Sequence, residues 1–127
     1  MSDFKLIRYQ GKRLTAPVFN TLHDSCLAFL KNALREPSDV PTVVITHHVP
    51  TFQNYPEKYR GSPLSEAFAV ELSSLIEAEG PAHWIYGHHH CNITDFTIGR
   101  TTLHTNQLGY VAYGEQQGFV PDKVLTL

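Results

Sequence analysis

Apolar positions recur at helical spacing in two stretches of the chain, and each stretch predicts an amphipathic helix. Thr21 and Asp24 form a helix-start signal for the first stretch, and Pro37 ends it. Ser62 is the expected N-cap of the second helix, with a proline at its first helical position, and Gly80 closes it. The acidic outer face of the second helix is expected to be solvated. The apolar stripes are Leu22, Cys26, Leu27, Leu30, Ala33 and Leu34 in the first helix, and Leu64, Ala67, Phe68, Leu72, Leu75 and Ile76 in the second.

Shorter apolar runs lie before, between and after these helices and predict strands. Consecutive β-branched residues within 42–46 favour a strand buried on both faces, as in a parallel sheet covered by helices. Near the carboxyl end, Gly99 and Arg100 separate two runs and predict a hairpin turn. The expected fold is therefore α/β with the order β-α-β-α-β-β-β, parallel or mixed at first and antiparallel at the end. The predicted strands are Phe4–Tyr9, Thr42–Thr46, Trp84–Tyr86, Ile93–Ile98, Thr101–His104 and Lys123–Leu127.

The length and the net charge of the chain limit the kinds of protein that it can be. At 127 residues it is expected to form one domain with a modest core. Its formal charge of −2 gives no excess of basic residues of the kind that indicates nucleic-acid binding. No apolar run reaches the ~18 residues of a membrane helix, and the amino-terminal segment lacks a signal-peptide core. With two isolated cysteines, which form no disulfide framework, a cytoplasmic protein is expected.

Candidate chemistry lies where two of the predicted strands end in histidines. His47 and His48 follow the second predicted strand, and a glycine, three histidines and a cysteine at 87–91 follow the third. The first and last histidines of that segment are two residues apart, so an extended backbone would direct both imidazoles to one side. Imidazole is the commonest metal-binding side chain. The paired segments therefore predict a metal site at the strand ends, although a solvated loop or an adventitious nickel or copper site has the same pattern.

The loop after His48 is a candidate wall of the same site. Residues 51–61 contain three aromatic side chains and the cation Arg60. Loops in this position often shape a pocket, and here the aromatics would suit a nucleobase while Arg60 would suit a phosphate. A surface excursion anchored by its aromatics is an equally open interpretation. The aromatics are Phe52, Tyr55 and Tyr59.

The order of these motifs resembles that of the calcineurin-like metallophosphoesterases. That family carries five blocks along its chain: Asp-x-His, Gly-Asp, Gly-Asn-His, a single His, and Gly-His-x-His. This chain matches the last two blocks, at His47 and at Gly87-His88-x-His90. The resemblance implies half of a β-sandwich of two packed sheets flanked by helices, with residues 1–127 as the carboxyl-terminal portion of the phosphoesterase domain.

Two later segments extend the resemblance, and three missing blocks limit it. Residues 106–110 are similar to the Asn-x-x-Gly-Tyr of bacterial members, and residues 119–122 to their carboxyl terminus. No Asp-x-His, Gly-Asp or Gly-Asn-His occurs in the chain. The carboxylate that bridges the two metals in the family is therefore expected to be missing, together with the amino-terminal half. The aspartates, none of which lies in such a block, are Asp3, Asp24, Asp39, Asp95 and Asp122.

The resemblance also implies roles for the histidines. His47 and His88 would bind one metal and His90 the other, with manganese, iron or zinc as the ion. The resemblance assigns no role to His48 and His89, and we expect these two as the catalytic candidates, one near the phosphate and the other structural. The implied reaction is hydrolysis of phosphate mono- or diesters by a two-metal hydroxide mechanism. With an incomplete site, this chain alone would be nearly inactive.

The residues leave several alternatives open. Cys91 is either a fourth metal ligand or a small buried hydrophobe. Two other functions are open besides that of a phosphoesterase part. The chain could be a non-catalytic remnant or binding module, or it could be a mononuclear zinc hydrolase that uses His47, His88 and His90. The expected partners are a phosphate ester or nucleotide, and either the missing amino-terminal half or a second copy. A homodimer is favoured because the apolar central strands would leave one sheet face uncovered.

Overall fold

The fold is described by a computed structural model that covers residues 3–127 in detail. Within these residues it is a mixed α/β structure, with a four-stranded mixed sheet, a two-stranded antiparallel sheet and helices. The described chain divides into two compact units, one that ends at Pro37 and one that comprises residues 38–127. Across the described part of the chain, no helix combines the length and the apolar character that crossing a membrane requires.

The amino-terminal unit consists of a short helix, a hairpin and a long helix. Its elements are α1 (Asp3–Leu6), β1 (Arg8–Tyr9), β2 (Lys12–Arg13) and α2 (Ala16–Arg35). The strand predicted over 4–9 was wrong for its first half, because the Ile7 amide donates to the Asp3 carbonyl and closes a helical turn. Strands β1 and β2 pair antiparallel around Gln10 and Gly11, whose φ angles of +50° and +77° suit a tight type I′ turn.

Helix α2 begins ahead of the predicted start signal at Thr21. Pro17 lies in its first turn, where the fixed φ and missing N–H of a proline cost little. Thr21 does not cap the helix, because its hydroxyl donates to the Pro17 carbonyl one turn back at 3.0 Å. The helix ends at Arg35, which confirms the end predicted from Pro37. None of the residues of α2 is buried, so its apolar stripe contributes no fully buried side chain.

The carboxyl-terminal unit is built on the four-stranded sheet. Its strands are β3 (Val43–Ile45), β4 (His83–Ile85), β5 (Phe96–Ile98) and β6 (Thr101–His104). They lie in the order β3-β4-β6-β5, with β3, β4 and β6 parallel and β5 antiparallel to β6. This topology confirms the predicted parallel portion with an antiparallel end and a hairpin turn at Gly99. The strand predicted at Lys123–Leu127 was wrong, since these residues form no strand.

One face of this sheet carries the core of the unit. Val44, Trp84 and Leu103 lie side by side on β3, β4 and β6, and at most 7% of each is exposed. The opposite face is open at the edge strand β3, where 73% of Ile45 is exposed. Burial on both faces of β3, as the apolar run predicted, is therefore confirmed for one face only.

The second predicted helix is interrupted and forms two short helices, α3 (Ser65–Phe68) and α4 (Ser73–Glu79). A single helix beginning at Ser62 was wrong because Val49 pairs with the middle of the segment. The Val49 amide donates to the Phe68 carbonyl, and the Val70 amide donates to the Val49 carbonyl. These bonds engage backbone groups that a continuous helix would use itself. The chain is accordingly extended at Ala69.

Glu71 is exposed, as expected for the acidic face, and it also fixes the start of the 51–61 loop. Its carboxylate accepts hydrogen bonds from the amides of Phe52 and Ser73 and from the hydroxyl of Thr51. Partial burial opposes ionisation of Glu71, but these hydrogen bonds outweigh it and hold the pKa of the carboxyl below its ordinary value. The loop is therefore tied to the segment between α3 and α4.

Helix α4 ends at Gly80, as predicted, and Arg100 covers that end. Gly80 has a φ of +50°, and its amide donates to the Ile76 carbonyl. The Arg100 guanidinium donates to the carbonyls of Gly80 and Glu79 at 2.7 and 3.1 Å, satisfying acceptors at the helix end. A Cβ added at position 80 would overlap the Arg100 side chain. The hairpin between β5 and β6 is thus coupled to α4 through one side chain.

We expect Gly80→Ala to lower the free energy of unfolding by ~2–4 kcal/mol. About 1–2 kcal/mol comes from the left-handed backbone, and the rest from the hydrogen bonds that a displaced Arg100 loses. Gly114→Ala is the matched control, because Gly114 has a φ of +72° with open space around its missing Cβ. Urea unfolding followed by fluorescence of Trp84, the only tryptophan, measures both variants. Equal losses in the two variants would contradict the role given to Arg100.

Candidate metal centre

Three imidazoles meet beyond the carboxyl ends of β3 and β4. His47 and His48 follow β3 and His88 follows β4, and because these strands are parallel neighbours their carboxyl ends share one edge of the sheet. The ring nitrogens His47 Nε2 and His88 Nδ1 are 2.8 Å apart. One metal-ligating atom from each of the three histidines lies within 4.8 Å of the other two. This group is called the histidine cluster below.

The histidine cluster is connected to the core through Thr46. The indole N–H of the buried Trp84 donates to the Thr46 hydroxyl at 3.0 Å, and that hydroxyl donates to the His48 carbonyl at 2.9 Å. From the other segment, the Gly87 amide donates to the His47 carbonyl at 3.2 Å. The two segments that carry the imidazoles are therefore fixed both to the core and to each other.

The turn after β4 holds two histidines in an unfavourable backbone conformation. His88 and His90 have φ angles of +76° and +46°. This left-handed region costs a non-glycine residue about 1–3 kcal/mol and is concentrated at functional sites. Gly87, the glycine that precedes these histidines, has no positive φ. The strained residue His88 is also the one whose ring contacts His47, with 4.7 Å between centroids, which favours a binding role for the turn.

His90 lies outside the histidine cluster. Its Nδ1 is 2.9 Å from Glu115 Oε2, and its ring contacts the Tyr110 ring. The Tyr110 amide also donates to Glu115, and with His90 it holds the pKa of that carboxyl below its ordinary value. Of the three predicted metal ligands, the structure therefore brings two together and places His90 beside a carboxylate. The predicted catalytic residue His48 completes the cluster.

His89, the other predicted catalytic residue, is buried, with 4% of its surface exposed. Its Nδ1 accepts hydrogen bonds from the Cys91 amide at 3.2 Å and from the Gln107 side chain at 3.1 Å. Burial lowers the pKa of His89 to about 4, so its ring is neutral near pH 7. This environment favours a structural part for His89, and its catalytic role stays a prediction. Cys91 has a half-buried free thiol and is not a member of the cluster.

Two amide side chains that the sequence analysis did not single out hold the turn after β4 in place. Gln107 Oε1 accepts from the His90 amide, and Gln107 Nε2 donates to the Cys91 carbonyl as well as to His89 Nδ1. Asn92 in turn bonds both the amide and the carbonyl of Gln107, at 2.6 and 2.8 Å. Neither residue lies in a periodic pattern, so spacing along the chain carried no signal for them.

The donor set of the histidine cluster suits a borderline-soft divalent ion. Neutral imidazole nitrogens favour zinc, copper, nickel or iron over magnesium and calcium. Among residues 3–127, no carboxylate or thiol joins the three histidines. His47 is exposed, and His48 and His88 are half-buried, so the cluster is open to solvent. The three side chains could hold one ion with open coordination positions, which would replace the hydrogen bond between His47 and His88. This arrangement is not by itself diagnostic of an enzyme.

Thr46→Val should destabilise the protein by ~1–3 kcal/mol, because it leaves the buried Trp84 indole N–H without an acceptor. The variant also frees the His48 carbonyl and should weaken binding of Zn²⁺ to the cluster. Thr97→Val is the control, since Thr97 is exposed on β5. Urea unfolding and isothermal titration with Zn²⁺ measure the two effects. Unchanged values for Thr46→Val would contradict the connection between cluster and core.

The neutral His89 predicts a loss of stability in mild acid. Its folded pKa of about 4 lies below the ~6.5 of an unfolded histidine, so unfolding takes up a proton at acid pH. This contribution is complete above pH ~6.5 and decreases by up to about 3 kcal/mol as the pH falls to ~4. His89→Asn keeps an acceptor near Nδ1 but cannot be protonated, and should have a flatter pH profile.

Urea unfolding of the metal-free protein, in EDTA and between pH 7.5 and 4, checks this profile. Ile76→Val is the matched control, because it perturbs the buried core without removing a titratable group. It should lower stability by a similar amount at every pH. Parallel pH profiles for the wild type and His89→Asn would contradict the prediction.

Comparison with known proteins assigns no family to this chain: no family model, curated protein or solved structure matches it. The order of the motifs and the geometry of the histidine cluster are therefore the two observations from which a function can be proposed.

Proposed function

We propose that the chain binds a divalent metal ion through His47, His48 and His88 and acts in a metal-dependent phosphoesterase of the calcineurin-like type. The observation that carries the proposal is the 2.8 Å approach of His47 Nε2 to His88 Nδ1, with His48 beside them. Hydrolysis of phosphate mono- or diesters is the proposed reaction. The ion would be zinc, iron or manganese.

The order of strands, helices and histidine segments along the chain supports the phosphoesterase proposal. Parallel strands β3 and β4 each lead into a histidine segment, and helices lie between them along the chain. In open α/β sheets, ligands bind at the carboxyl ends of such strands. The finer proposal is that this sheet is half of a two-sheet sandwich. The exposed Ile45 would then lie on the face that the second sheet covers.

The chemistry of the site follows from its three imidazole donors. A bound divalent ion would polarise a phosphoryl oxygen and lower the pKa of a water molecule. The side chains of His47, His48 and His88 would hold it, and the Trp84–Thr46 contact would orient the segment that carries two of them. Imidazoles do not offset the charge of two metals, so a two-metal site would need carboxylates from elsewhere.

Zinc binding tests the proposed ligands. Alanine at any residue of the histidine cluster should weaken Zn²⁺ by at least ~100-fold, because losing a group that merely orients a ligand already costs about 10- to 100-fold. Isothermal titration of the chain, purified with EDTA and then desalted, gives the affinity and the stoichiometry. His23→Ala, a histidine of α2 outside the cluster, is the control and should bind as the wild type does.

A mononuclear zinc hydrolase is the second candidate, with His48 in place of the expected ligand His90, because the three histidines of the cluster could hold one ion. His90 separates the two proposals. In the phosphoesterase it would hold a second metal, so the chain would take up two ions and His90→Ala would lose one. In the mononuclear site, one ion binds and His90→Ala leaves its affinity unchanged. Absence of any Zn²⁺ binding would contradict both and favour a non-catalytic module.

The isolated chain should be nearly inactive on p-nitrophenyl phosphate with added Mn²⁺. No carboxylate joins the cluster among residues 3–127, and losing groups that act as a unit removes several orders of magnitude in rate. Initial rates measured for the wild type and for His88→Ala provide the test. A turnover near ~1 per second or above, abolished in His88→Ala, would show that the cluster suffices without carboxylates.

Assembly and location stay predictions. A homodimer, or pairing with a separate amino-terminal half, would cover the sheet face on which Ile45 is exposed. The cytoplasmic location also stays a proposal. It is supported by the two cysteines, which are free thiols in the structure, as is usual in a reducing compartment.

A further inference from the structure

The 51–61 loop and the start of α3 enclose an open recess that the metal proposal does not use. Its volume is about 330 Å³, and it is lined by Phe52, Tyr55, Arg60, Gly61 and Ser65. This size lies at the lower end of the range for small-molecule sites. All five lining residues belong to the carboxyl-terminal unit. A recess of this volume has room for a single ring system with a short substituent.

Aromatic side chains form one wall of the recess. The rings of Phe52 and Tyr55 meet edge to face, with 5.4 Å between their centroids. Phe52 is 37% exposed, whereas Tyr55 is 4% exposed. A flat ring can therefore pack against Phe52 without displacing the core beneath it. The wall is already assembled, because Glu71 holds the Phe52 amide at 3.0 Å.

One residue that lines the recess, Tyr55, has a buried hydroxyl without a hydrogen-bond partner. Among residues 3–127, the Tyr55 hydroxyl makes no hydrogen bond. The nearby Ser65 side chain opposes the effect of burial on the pKa of Tyr55, and its hydroxyl donates its own proton to the Tyr59 carbonyl at 2.9 Å. Burial raises the pKa of Tyr55, so its O–H remains a donor at neutral pH. A buried donor of this kind costs about 1–3 kcal/mol until an acceptor reaches it.

Arg60 supplies a cation at the same recess. Its Nε lies 3.1 Å from a carboxylate oxygen of Glu57, and 58% of the Arg60 side chain and 84% of the Glu57 side chain are exposed. Such an exposed pair contributes little stability, so an anionic ligand can compete with Glu57 for the guanidinium. Arginine is suited to phosphate because its N–H groups match two phosphate oxygens at once.

The recess adjoins the histidine cluster. Helix α3 has Ser65, which lines the recess, at its start and Phe68 at its end, and the Phe68 ring lies 4.6 Å from the His88 ring. Three residues of helix advance only about 4.5 Å. On the other side, the Tyr55 ring lies 6.1 Å from the ring of His89, the neighbour of His88 in the chain. The recess and the histidine cluster are therefore connected through α3 and through the turn after β4.

We propose that the recess binds the aromatic ring of a phosphoester substrate, with the ring against Phe52, an acceptor on it bonded to Tyr55, and an anionic oxygen on Arg60. This inference rests on the proposed function, since it names the substrate class of the same site. A phosphoester without a ring would engage Arg60 alone and would leave the Tyr55 hydroxyl unpaired.

Two probes isolate the contribution of the ring. Adenosine 5′-monophosphate and ribose 5-phosphate carry the same phosphate, and only the first has a base. Isothermal titration is run on the whole chain, once in EDTA and once with saturating Zn²⁺. The wild type should bind the adenosine compound about tenfold or more tightly than the ribose compound in both conditions.

Variants assign that preference to the recess. Phe52→Ala and Tyr55→Phe should reduce the preference, the first by removing the wall and the second by removing only the hydroxyl. Arg60→Ala should weaken both probes alike. Lys58→Ala is the matched control, because Lys58 lies over the Tyr59 ring instead of lining the recess, and it should bind as the wild type does. Circular dichroism of each variant confirms that it is folded.

The results distinguish failure of the aromatic recess from failure of the proposed metal site. Equal affinity of the wild type for the two probes would overturn the aromatic recess, and normal Zn²⁺ binding in the same samples would leave the proposed metal site standing. A ring preference that persists in EDTA, in a chain that binds no Zn²⁺, would support the recess and overturn the metal proposal. A preference unchanged in both Phe52→Ala and Tyr55→Phe would place the ring elsewhere and reject the inference.

Discussion

Parallel pairing of β3 with β4 determines where the candidate functional groups lie. The register sets Val44 beside Trp84, and both are buried on the covered face of the sheet. Burying the indole requires an acceptor for its N–H, and Thr46, just past the end of β3, provides it. The Thr46 hydroxyl then binds the His48 carbonyl. A packing contact in the core is thus transmitted through one hydroxyl to the backbone of the histidine cluster.

Side-chain hydrogen bonds to the backbone, more than regular secondary structure, shape the loops around this site. Glu71 fixes the loop that forms the recess, and Gln107 fixes the turn that carries His88. A turn held in this way can maintain left-handed histidines, since surrounding contacts compensate for the local strain. Helix α3 contacts both features, since its Phe68 ring lies against His88 of the histidine cluster and its Ser65 lines the aromatic recess.

The sequence by itself determined the features that depend on local backbone chemistry. Pro37 and Gly80 predicted the ends of two helices, and Gly99 predicted the hairpin, because each restricts or extends φ within its own turn. Apolar runs predicted the central strands and the mixed sheet. The placement of His47 and His88 at neighbouring strand ends also followed, since parallel strands bring their carboxyl ends to one edge.

Only the tertiary structure decided which groups from distant segments meet. Val49 divides the second helix, because its backbone bonds with Phe68 and Val70 replace helical ones. An extended turn would have directed His88 and His90 to the same side, but both residues have a left-handed backbone. The His88 ring joins the histidine cluster, whereas the His90 ring pairs with a carboxylate. Such pairings depend on hydrogen bonds between residues far apart in the chain, whose partners no local pattern or spacing specifies.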